Sequence, residues 1–396
     1  MELQQPSQKR IQSIDLLRGI IMIIMALDHT RDFFHKDGLT GDPLNPDTTN
    51  VFLYGTRWIT HFCAPTFVFL SGLSAWLQGQ RKSKKELGLF LITRGFWLIL
   101  VDLTFMSFAF TADIHYSLFV LETLWSIGAG MVILGLMIHL PYKVILVTGL
   151  LIVFGHNLLD FAERDRQSPV PILWSVLHQV RIIPLGGGHS LFLFYPFLSW
   201  AGLMMLGYCC GKLFTHMEAP KRNKVLLWTG VGAIVFFLVL RAINIYGDPR
   251  PWKVQGTGLK TFFAFMNVQK YPPSLLFTCA TIGPMLILLS LLKNTQGWFA
   301  RIASVYGRVP LFYFLVHFYI LHIAAIIAYL SRGHSFSEGM KGAQGVPFKF
   351  SAPGEGYSLG VVYLIWIAVV ILMYPLCKWY DSYKTNHKEK KWLSYL

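Results

Sequence analysis

Residues 11–34 form an apolar stretch long enough to cross a membrane, yet ionisable side chains stand near both of its ends. Because ionisable groups are costly inside a bilayer, such a helix is expected to turn them toward protein or water rather than toward lipid. His29 lies about 16 Å beyond Arg18 along the helix axis, on the same face. That face carries Arg18, Met22, Met25, His29 and Asp32.

The composition places the rest of the chain in a membrane as well. Of its 396 residues, 54% are hydrophobic and only 14% are charged, whereas a soluble domain has about 25% charged residues. We predict an all-α integral membrane protein with one domain, residues 1–396, built as a bundle of about ten helices with short tails at 1–11 and 381–396. The predicted spans are 12–34, 57–78, 87–110, 118–139, 143–160, 190–212, 224–244, 272–293, 308–330 and 358–380.

The distribution of Lys and Arg predicts the orientation. The formal net charge of +15 does not indicate nucleic-acid binding, because the basic residues lie mostly in short loops between apolar segments. More of them lie on the side that holds both termini, so both termini are predicted to be cytoplasmic. The chain has no Asn-x-Ser/Thr sequence, which favours a bacterial inner membrane. The five cysteines are unevenly spaced within apolar segments, and we expect neither disulfides nor a metal site.

Some local features leave alternatives open. The segments on either side of Pro141 could be two spans or one broken hairpin. Pro65 is expected to kink the second span. The run 186–189, three glycines and a histidine, predicts a flexible loop or a re-entrant turn. Asp102 and Glu122 are expected to be buried partners of arginines or histidines.

Histidines toward the outer ends of the spans are candidates for acid–base chemistry. Imidazole titrates near neutral pH, so His29 could deprotonate an acceptor hydroxyl or amine, with Asp32 one turn later to orient the ring. His61, near the start of the second span, is a further catalytic candidate, although either histidine could equally be a polar contact at the interface. The candidates for acceptor binding are Arg57, Arg31, Asp28 and His317, although a core position is the alternative for His317 and for His322.

Basic residues at the cytoplasmic end could bind a phosphorylated co-substrate, because guanidinium groups suit phosphate. Arg18 is one candidate, with an internal ion pair to Asp15 as the alternative. Arg94 is another. The loop before the third span adds Arg81, Lys82, Lys84 and Lys85, which could receive the phosphates of coenzyme A or could simply set the topology and contact lipid headgroups.

Several motifs resemble the heparan-alpha-glucosaminide N-acetyltransferase catalytic-domain-like family. They are Ser-Ile-Asp-Leu-Leu-Arg-Gly at 13–19, Leu-Asp-His-Thr-Arg-Asp at 27–32, Cys-Ala-Pro-Thr-Phe-Val-Phe-Leu-Ser-Gly at 63–72, Tyr-Pro-Phe-Leu-Ser-Trp-Ala-Gly at 195–202 and Gly-Arg-Val-Pro-Leu-Phe-Tyr at 307–313. An arginine and a histidine eleven residues apart on the first helix also resemble the membrane acyltransferases that modify bacterial surface polysaccharides. The active histidine of the heparan family lies in the loop after the first span, where His35 and His61 are the nearest residues.

The resemblance implies acyl transfer from cytoplasmic acyl-coenzyme A, most simply acetyl-coenzyme A, to a sugar or glycan amine or hydroxyl outside. His29 would be the base, and no metal is expected. The expected partners are the lipid bilayer, the donor and the acceptor, with a homodimer left open. The alternative is a proton-coupled transporter or flippase, in which the same ionisable groups would relay protons. No internal repeat is visible, which favours the enzyme.

Overall fold

The computed structural model describes residues 11–38, 41–164, 170–292, 296–342, 348–352 and 354–394. Most of the predicted N-terminal tail, 1–11, lies outside these residues, as do the last two residues of the predicted C-terminal tail. The helices are α1 Gln12–Phe34, α2 Val51–Thr60, α3 Cys63–Gly79, α4 Lys84–Val101, α5 Ser107–Thr111, α6 Thr123–Met137, α7 Tyr142–Gly155, α8 Leu158–Arg164, α9 Ile172–His178, α10 Leu198–His216, α11 Ala219–Ile243, α12 Gly258–Met266, α13 Leu275–Leu291, α14 Trp298–Arg308, α15 Pro310–Ser331, α16 Phe336–Lys341 and α17 Leu359–Asn386. A π-helical turn, Asp102–Met106, joins α4 to α5, and a 3₁₀ turn covers Lys391–Ser394.

Five helical stretches are long and apolar enough to cross a membrane, so the prediction of an integral membrane protein is confirmed. They are Val51–Gly79, Lys84–Thr111, Ala219–Ile243, Pro310–Ser331 and Leu359–Asn386. Shorter apolar helices occupy three further predicted spans, Thr123–Met137, Tyr142–Gly155 and Leu275–Leu291. The count of ten spans and the cytoplasmic termini stay predictions. We call the end of the bundle where α1 begins the near end, and the end where α1 finishes the far end.

The second predicted span consists of two helices rather than one kinked helix. The helical hydrogen bonding is interrupted at His61 and Phe62, between α2 and α3. Pro65 therefore lies in the first turn of α3, where its missing N–H has no intrahelical partner to lose. The break lies three and four residues before Pro65, where a proline removes the hydrogen bond of a continuous helix, so the predicted disturbance of this span by Pro65 is present as a break that places His61 at a helix end. The segments around Pro141 also form two separate helices, α6 and α7.

A small sheet covers part of the far end, so the fold is not purely helical. Strands β1 (Leu118–Leu121), β2 (Arg181–Gly186) and β3 (His189–Leu193) pair in the order β1-β3-β2. The first residues of the predicted spans 118–139 and 190–212 are therefore strands. Gly186, Gly187 and Gly188 all have positive φ and form the tight turn of the β2–β3 hairpin, which replaces the loop expected there.

Asp102 holds the junction between this sheet and the bundle. Its Oδ2 accepts the backbone N–H groups of Glu122 at 2.8 Å and Trp125 at 2.9 Å, at the start of α6. A carboxylate at a helix N-terminus satisfies backbone donors that have no partner within the helix. Asp102 is therefore a helix cap, and the expectation that it pairs with an arginine or a histidine is wrong.

Glycines allow α1 to pack closely against α14. A Cβ on Gly19 would lie 1.7 Å from the backbone oxygen of Ala303, and one on Gly307 would lie 1.8 Å from that of Asp15. Small residues let helix backbones approach each other in membrane bundles, where packing rather than the hydrophobic effect drives association. This contact fixes α1 beside α14 and so positions the polar residues that α1 carries.

We expect Gly307→Ala to destabilise the protein by about 1–3 kcal/mol, because the added methyl group must separate α14 from α1. The measurement is the melting temperature of purified protein in one detergent. Gly232→Ala, on α11, is the matched control, since a Cβ there meets nothing within 4 Å. Equal melting temperatures for the two variants would contradict the close contact.

Candidate active site

A cavity of about 420 Å³ opens at the far end, where α1, α2 and the segment before α13 meet. Six of the residues predicted to take part in catalysis or acceptor binding line it together. They are Asp28, His29, Arg31, Asp32, Arg57 and His61. The structure adds Tyr195 and Lys270, which the sequence did not single out, and Glu122, which was expected only to be a buried acidic partner.

Asp28 is the centre of the ionic contacts in this cavity. Arg57 Nη1 donates to both of its oxygens, at 2.8 and 2.9 Å, and Arg31 Nη2 lies 2.6 Å from Oδ1. Thr60 Oγ1 donates to the same oxygen at 2.7 Å. Because Asp28 and Arg31 are almost fully buried, these contacts replace hydration that the groups have lost. Asp28 therefore joins α1 to α2 and orients two guanidinium groups.

His29 is held by a second histidine from α15. His29 Nδ1 lies 2.8 Å from His317 Nε2, and His317 Nδ1 lies 2.7 Å from the backbone oxygen of Tyr313. A carbonyl oxygen only accepts, so His317 Nδ1 carries a hydrogen and its Nε2, in the neutral ring, accepts from His29. His29 then has its hydrogen on Nδ1 and a lone pair on Nε2. An imidazole fixed in this tautomer is arranged to act as a base.

Asp32 does not occupy the position that its predicted role requires. Its Oδ1 accepts from Arg31 Nη2 at 2.6 Å, whereas the partner of His29 is His317. The expectation that Asp32 orients His29 is therefore wrong. Residues one turn apart are neighbours on a helix, but the Asp32 carboxylate binds the adjacent Arg31 instead. His317 was expected to bind the acceptor or to fill the core, and it lies fully buried behind His29.

The other histidines have contrasting positions. His61 Nδ1 lies 2.7 Å from the backbone oxygen of Arg57, so this ring closes the end of α2 while it lines the cavity. His35 does not line the cavity; its Nδ1 accepts the backbone N–H of Asp37 at 3.2 Å, and burial lowers the pKa of its imidazole. His322 is buried against backbone oxygens, in the core position expected for it.

A second polar cavity, of about 470 Å³, lies at the near end. Arg18, Arg81 and Arg94 line it, together with Arg308 and Lys384, which the sequence did not single out. Arg18 is oriented there by Ser74 Oγ at 2.9 Å and by the backbone oxygen of Gly307 at 3.1 Å, and it also contacts Asp15 at 3.4 Å. The three lysines predicted with them lie outside the cavity; these are Lys82, Lys84 and Lys85.

A third cavity, mostly apolar and of about 100 Å³, lies between the two and is called the passage below. At one end it shares Arg18, Ser71 and Arg94 with the near-end cavity. At the other end it shares lining residues with the far-end cavity, namely Met25, Phe67, Thr123 and Phe314. The face of α1 that carries Arg18, Met22 and Met25 thus runs beside three adjoining cavities, from the basic cavity to the one that holds His29.

Fold and site together define a helical membrane protein with a histidine-bearing cavity at one end, a basic cavity at the other and a small apolar cavity between them. The family model described as "Heparan-alpha-glucosaminide N-acetyltransferase, catalytic" matches residues 10–245, which is more than half of the chain. The chain belongs to this family, and membership implies membrane acyltransferase activity. No curated protein matches the chain.

The residues that the sequence analysis missed come mainly from distant segments. Arg308 lies in the motif at 307–313, but nothing in that motif predicts its place in the near-end cavity. His317 was a candidate, but its contact with His29 was not predicted. Lys270 lies in a loop with no local motif. Glu122 was noticed as an acidic residue in a span, which was the available signal, although its place in the cavity follows from the cap that Asp102 provides.

We expect Asp28→Asn to destabilise the fold strongly, because it leaves Arg31 and Arg57 buried without their shared counter-charge. Removing one partner of a buried ion pair costs about 3–5 kcal/mol. Asp47→Asn is the matched control, since the pair of Asp47 with Lys260, at 3.2 Å, is exposed and should contribute little. Thermal unfolding of both variants measures the difference, and similar melting temperatures would show that Asp28 is not the centre of the site.

Proposed function

We propose that this protein transfers an acyl group, most simply acetyl, from cytoplasmic acyl-coenzyme A to a sugar or glycan amine or hydroxyl on the other side of a bacterial inner membrane. The observation that carries the proposal is the row of three adjoining cavities that leads from the basic near-end cavity to the far-end cavity that holds His29. Through such a row of cavities, a donor bound at one face would reach an acceptor at the other. The near end is taken as cytoplasmic, in agreement with the excess of basic residues on that side.

The near-end cavity suits the phosphates of the donor. Arg18, Arg81 and Arg94 converge there with Arg308 and Lys384, and guanidinium groups bind phosphate oxygens through several N–H donors at once. Lys82, Lys84 and Lys85 lie nearby on the same loop and first turn and would attract the anionic donor without holding it. The apolar passage suits the thin pantetheine arm, whose thioester would emerge beside Met25 and Phe314.

His29 would then act as the general base. Its Nε2 takes the proton of the acceptor amine or hydroxyl as that group attacks the thioester carbonyl carbon. The carbon–sulfur bond breaks, and the coenzyme A thiolate leaves and receives the proton from the imidazolium. His317 keeps the lone pair of His29 on Nε2 and would stabilise the charged ring. Arg57, Arg31 and Asp28 would position the acceptor, and His61 would contact it from α2.

We expect His29→Gln to reduce acyl transfer by about 10²–10⁴-fold, the usual contribution of a general base, while the protein still binds acyl-coenzyme A. The assay uses proteoliposomes with labelled acetyl-coenzyme A on one side, an amino-sugar panel on the other, and product measured in a single turnover. His35→Gln is the matched control, because it removes a histidine just outside the cavity. Full activity in His29→Gln would refute the assignment, and a change in sugar flux without any acetylated product would favour a transporter.

The passage itself can be tested by filling it. Met25→Trp adds bulk where the passage meets the far-end cavity, so we expect transfer to fall sharply while coenzyme A still binds at the near end. Met25→Leu nearly conserves volume and should keep most of the activity. The measurements are coenzyme A binding by calorimetry and acetyl transfer by product assay, with melting temperatures to verify folding. Undiminished transfer by Met25→Trp would mean that the donor reaches His29 by another route.

A further inference from the structure

A further cavity, of about 1100 Å³, lies at the near end and is called the flank cavity below. It adjoins the basic near-end cavity, because Asp15 and Arg308 line both. The rest of its lining comes mainly from the starts of α1 and α11, from α14 and from Tyr374 on α17. The proposed reaction places neither the donor nor the acceptor there.

Asp15 and Arg308 are already paired with residues outside the flank cavity. Asp15 Oδ1 lies 3.4 Å from Arg18 Nη1. Arg308 donates to Asp381 Oδ2 through Nε at 2.7 Å and through Nη2 at 2.6 Å. Because each of these two charges has its own counter-charge, the net charge of the flank cavity depends on its other charged residues.

Arg222 and Arg301 make that net charge positive. Within the part of the chain that the structure describes, no carboxylate oxygen lies within 4.0 Å of either guanidinium group. Arg222 is held in place by other contacts: its Nε donates to Asn223 Oδ1 at 3.2 Å, and its guanidinium carbon lies 4.6 Å from the ring centre of Phe214. The two Nη groups of Arg222 remain as donors, and Arg301 is exposed on α14.

The starts of α1 and α11 add partial positive charge to the same cavity. Gln12 and Ser13 of α1 line it together with Ala219 and Pro220 of α11. In neither helix does the N-cap residue make a side-chain hydrogen bond to the first turn. The backbone N–H groups and the dipole at a helix start favour an anion, and guanidinium groups bind phosphate oxygens through several donors at once. Phosphate is therefore the group that these charges fit.

The surface beside the flank cavity is apolar and exposed on two helices. Both α11 and α17 belong to the stretches that can cross a membrane. The exposed Val225 follows Arg222 by three residues on α11, and the exposed Ile371 precedes Tyr374 by three residues on α17. Residues three apart are neighbours on one helix face, so apolar surface continues from the cavity toward the middle of the bundle. A ligand with a phosphate at one end and acyl chains at the other matches this arrangement.

We infer that the flank cavity binds the headgroup of an anionic glycerophospholipid, with its phosphate held by Arg222 and Arg301 and its acyl chains along α11 and α17. Basic recesses between membrane helices on the cytoplasmic side are the surfaces that such headgroups bind. A zwitterionic headgroup fits less well, because its ammonium group would meet the same uncompensated guanidinium groups. The inference does not depend on the chemistry proposed for His29.

The test measures which lipid the full-length protein retains. Native mass spectrometry is performed in detergent with equal amounts of phosphatidylglycerol and phosphatidylcholine that have the same acyl chains. Wild-type protein should retain one phosphatidylglycerol about tenfold more often than one phosphatidylcholine, the scale of one charge-assisted hydrogen bond. Arg222→Gln combined with Arg301→Gln should abolish this preference. Arg222→Lys combined with Arg301→Lys should keep part of it, because the charges stay while the planar donor groups are lost.

A matched control separates a site from a diffuse attraction. Lys221→Gln combined with Lys224→Gln removes two exposed charges from the same end of α11 but outside the cavity lining, and should keep the preference. Arg301→Gln alone changes an exposed position and should lower the preference severalfold even if the double variant fails to fold, which melting temperatures in phosphatidylcholine would show. Equal retention of the two lipids by wild-type protein, or an equal loss of preference in the lysine control, would overturn the inference.

Two competitors distinguish the lipid from other sources of phosphate. Inorganic phosphate in excess should leave phosphatidylglycerol bound, because it lacks acyl chains, and coenzyme A in excess should leave it bound because the donor belongs to the neighbouring cavity. Displacement by inorganic phosphate would mean that the cavity takes the phosphate group alone, and displacement by coenzyme A would make the cavity an extension of the donor site. Either result would overturn the inference. Acetyl transfer is assayed separately, and its absence beside a lipid preference would reject the proposed reaction only.

Discussion

The contacts of Asp28 are the interaction on which the far-end cavity depends. One carboxylate receives Arg57, Arg31 and Thr60, and it does so where α1 and α2 meet away from bulk water. In such surroundings a charge is tolerated only with partners and hydrogen bonds around it. The same contacts hold two guanidinium groups at the edge of the space that His29 faces. Structural support and site geometry are thus provided by one residue.

Much of the fold could be predicted from hydrophobicity, and the exceptions have physical causes. Long apolar runs indicated the helices, and the charged face of α1 indicated that it is buried. The strands at 118–121 and 190–193 were missed because a short apolar run at the end of a span reads equally well as helix or strand. Only the pairing of β1 with β3, across about seventy residues of sequence, selects the strand, and no local pattern encodes it.

The relative positions of site residues could be predicted where the residues lie on the same helix. They could not be predicted where residues on different helices contact each other. The helical period predicted that Arg18, Met22 and Met25 share one face of α1, and all three line the passage. The same reasoning chose Asp32 as the partner of His29, because it considered only neighbours on α1. The residue that contacts His29 is His317, 288 positions away. Its Nδ1 donates to a backbone carbonyl oxygen, and its Nε2 accepts from His29. The contact between α1 and α15, rather than the spacing of residues along α1, decides the tautomer of His29.

The apolar lining of the passage has a consequence for the movement of ions across the membrane. A hydrated ion cannot shed its water to enter a space of about 100 Å³ lined mainly by methionine, leucine and phenylalanine side chains, whereas a slender uncharged chain can. Under the proposed reaction, this lining would let an acyl chain pass between the two ends of the bundle while opposing the leakage of ions.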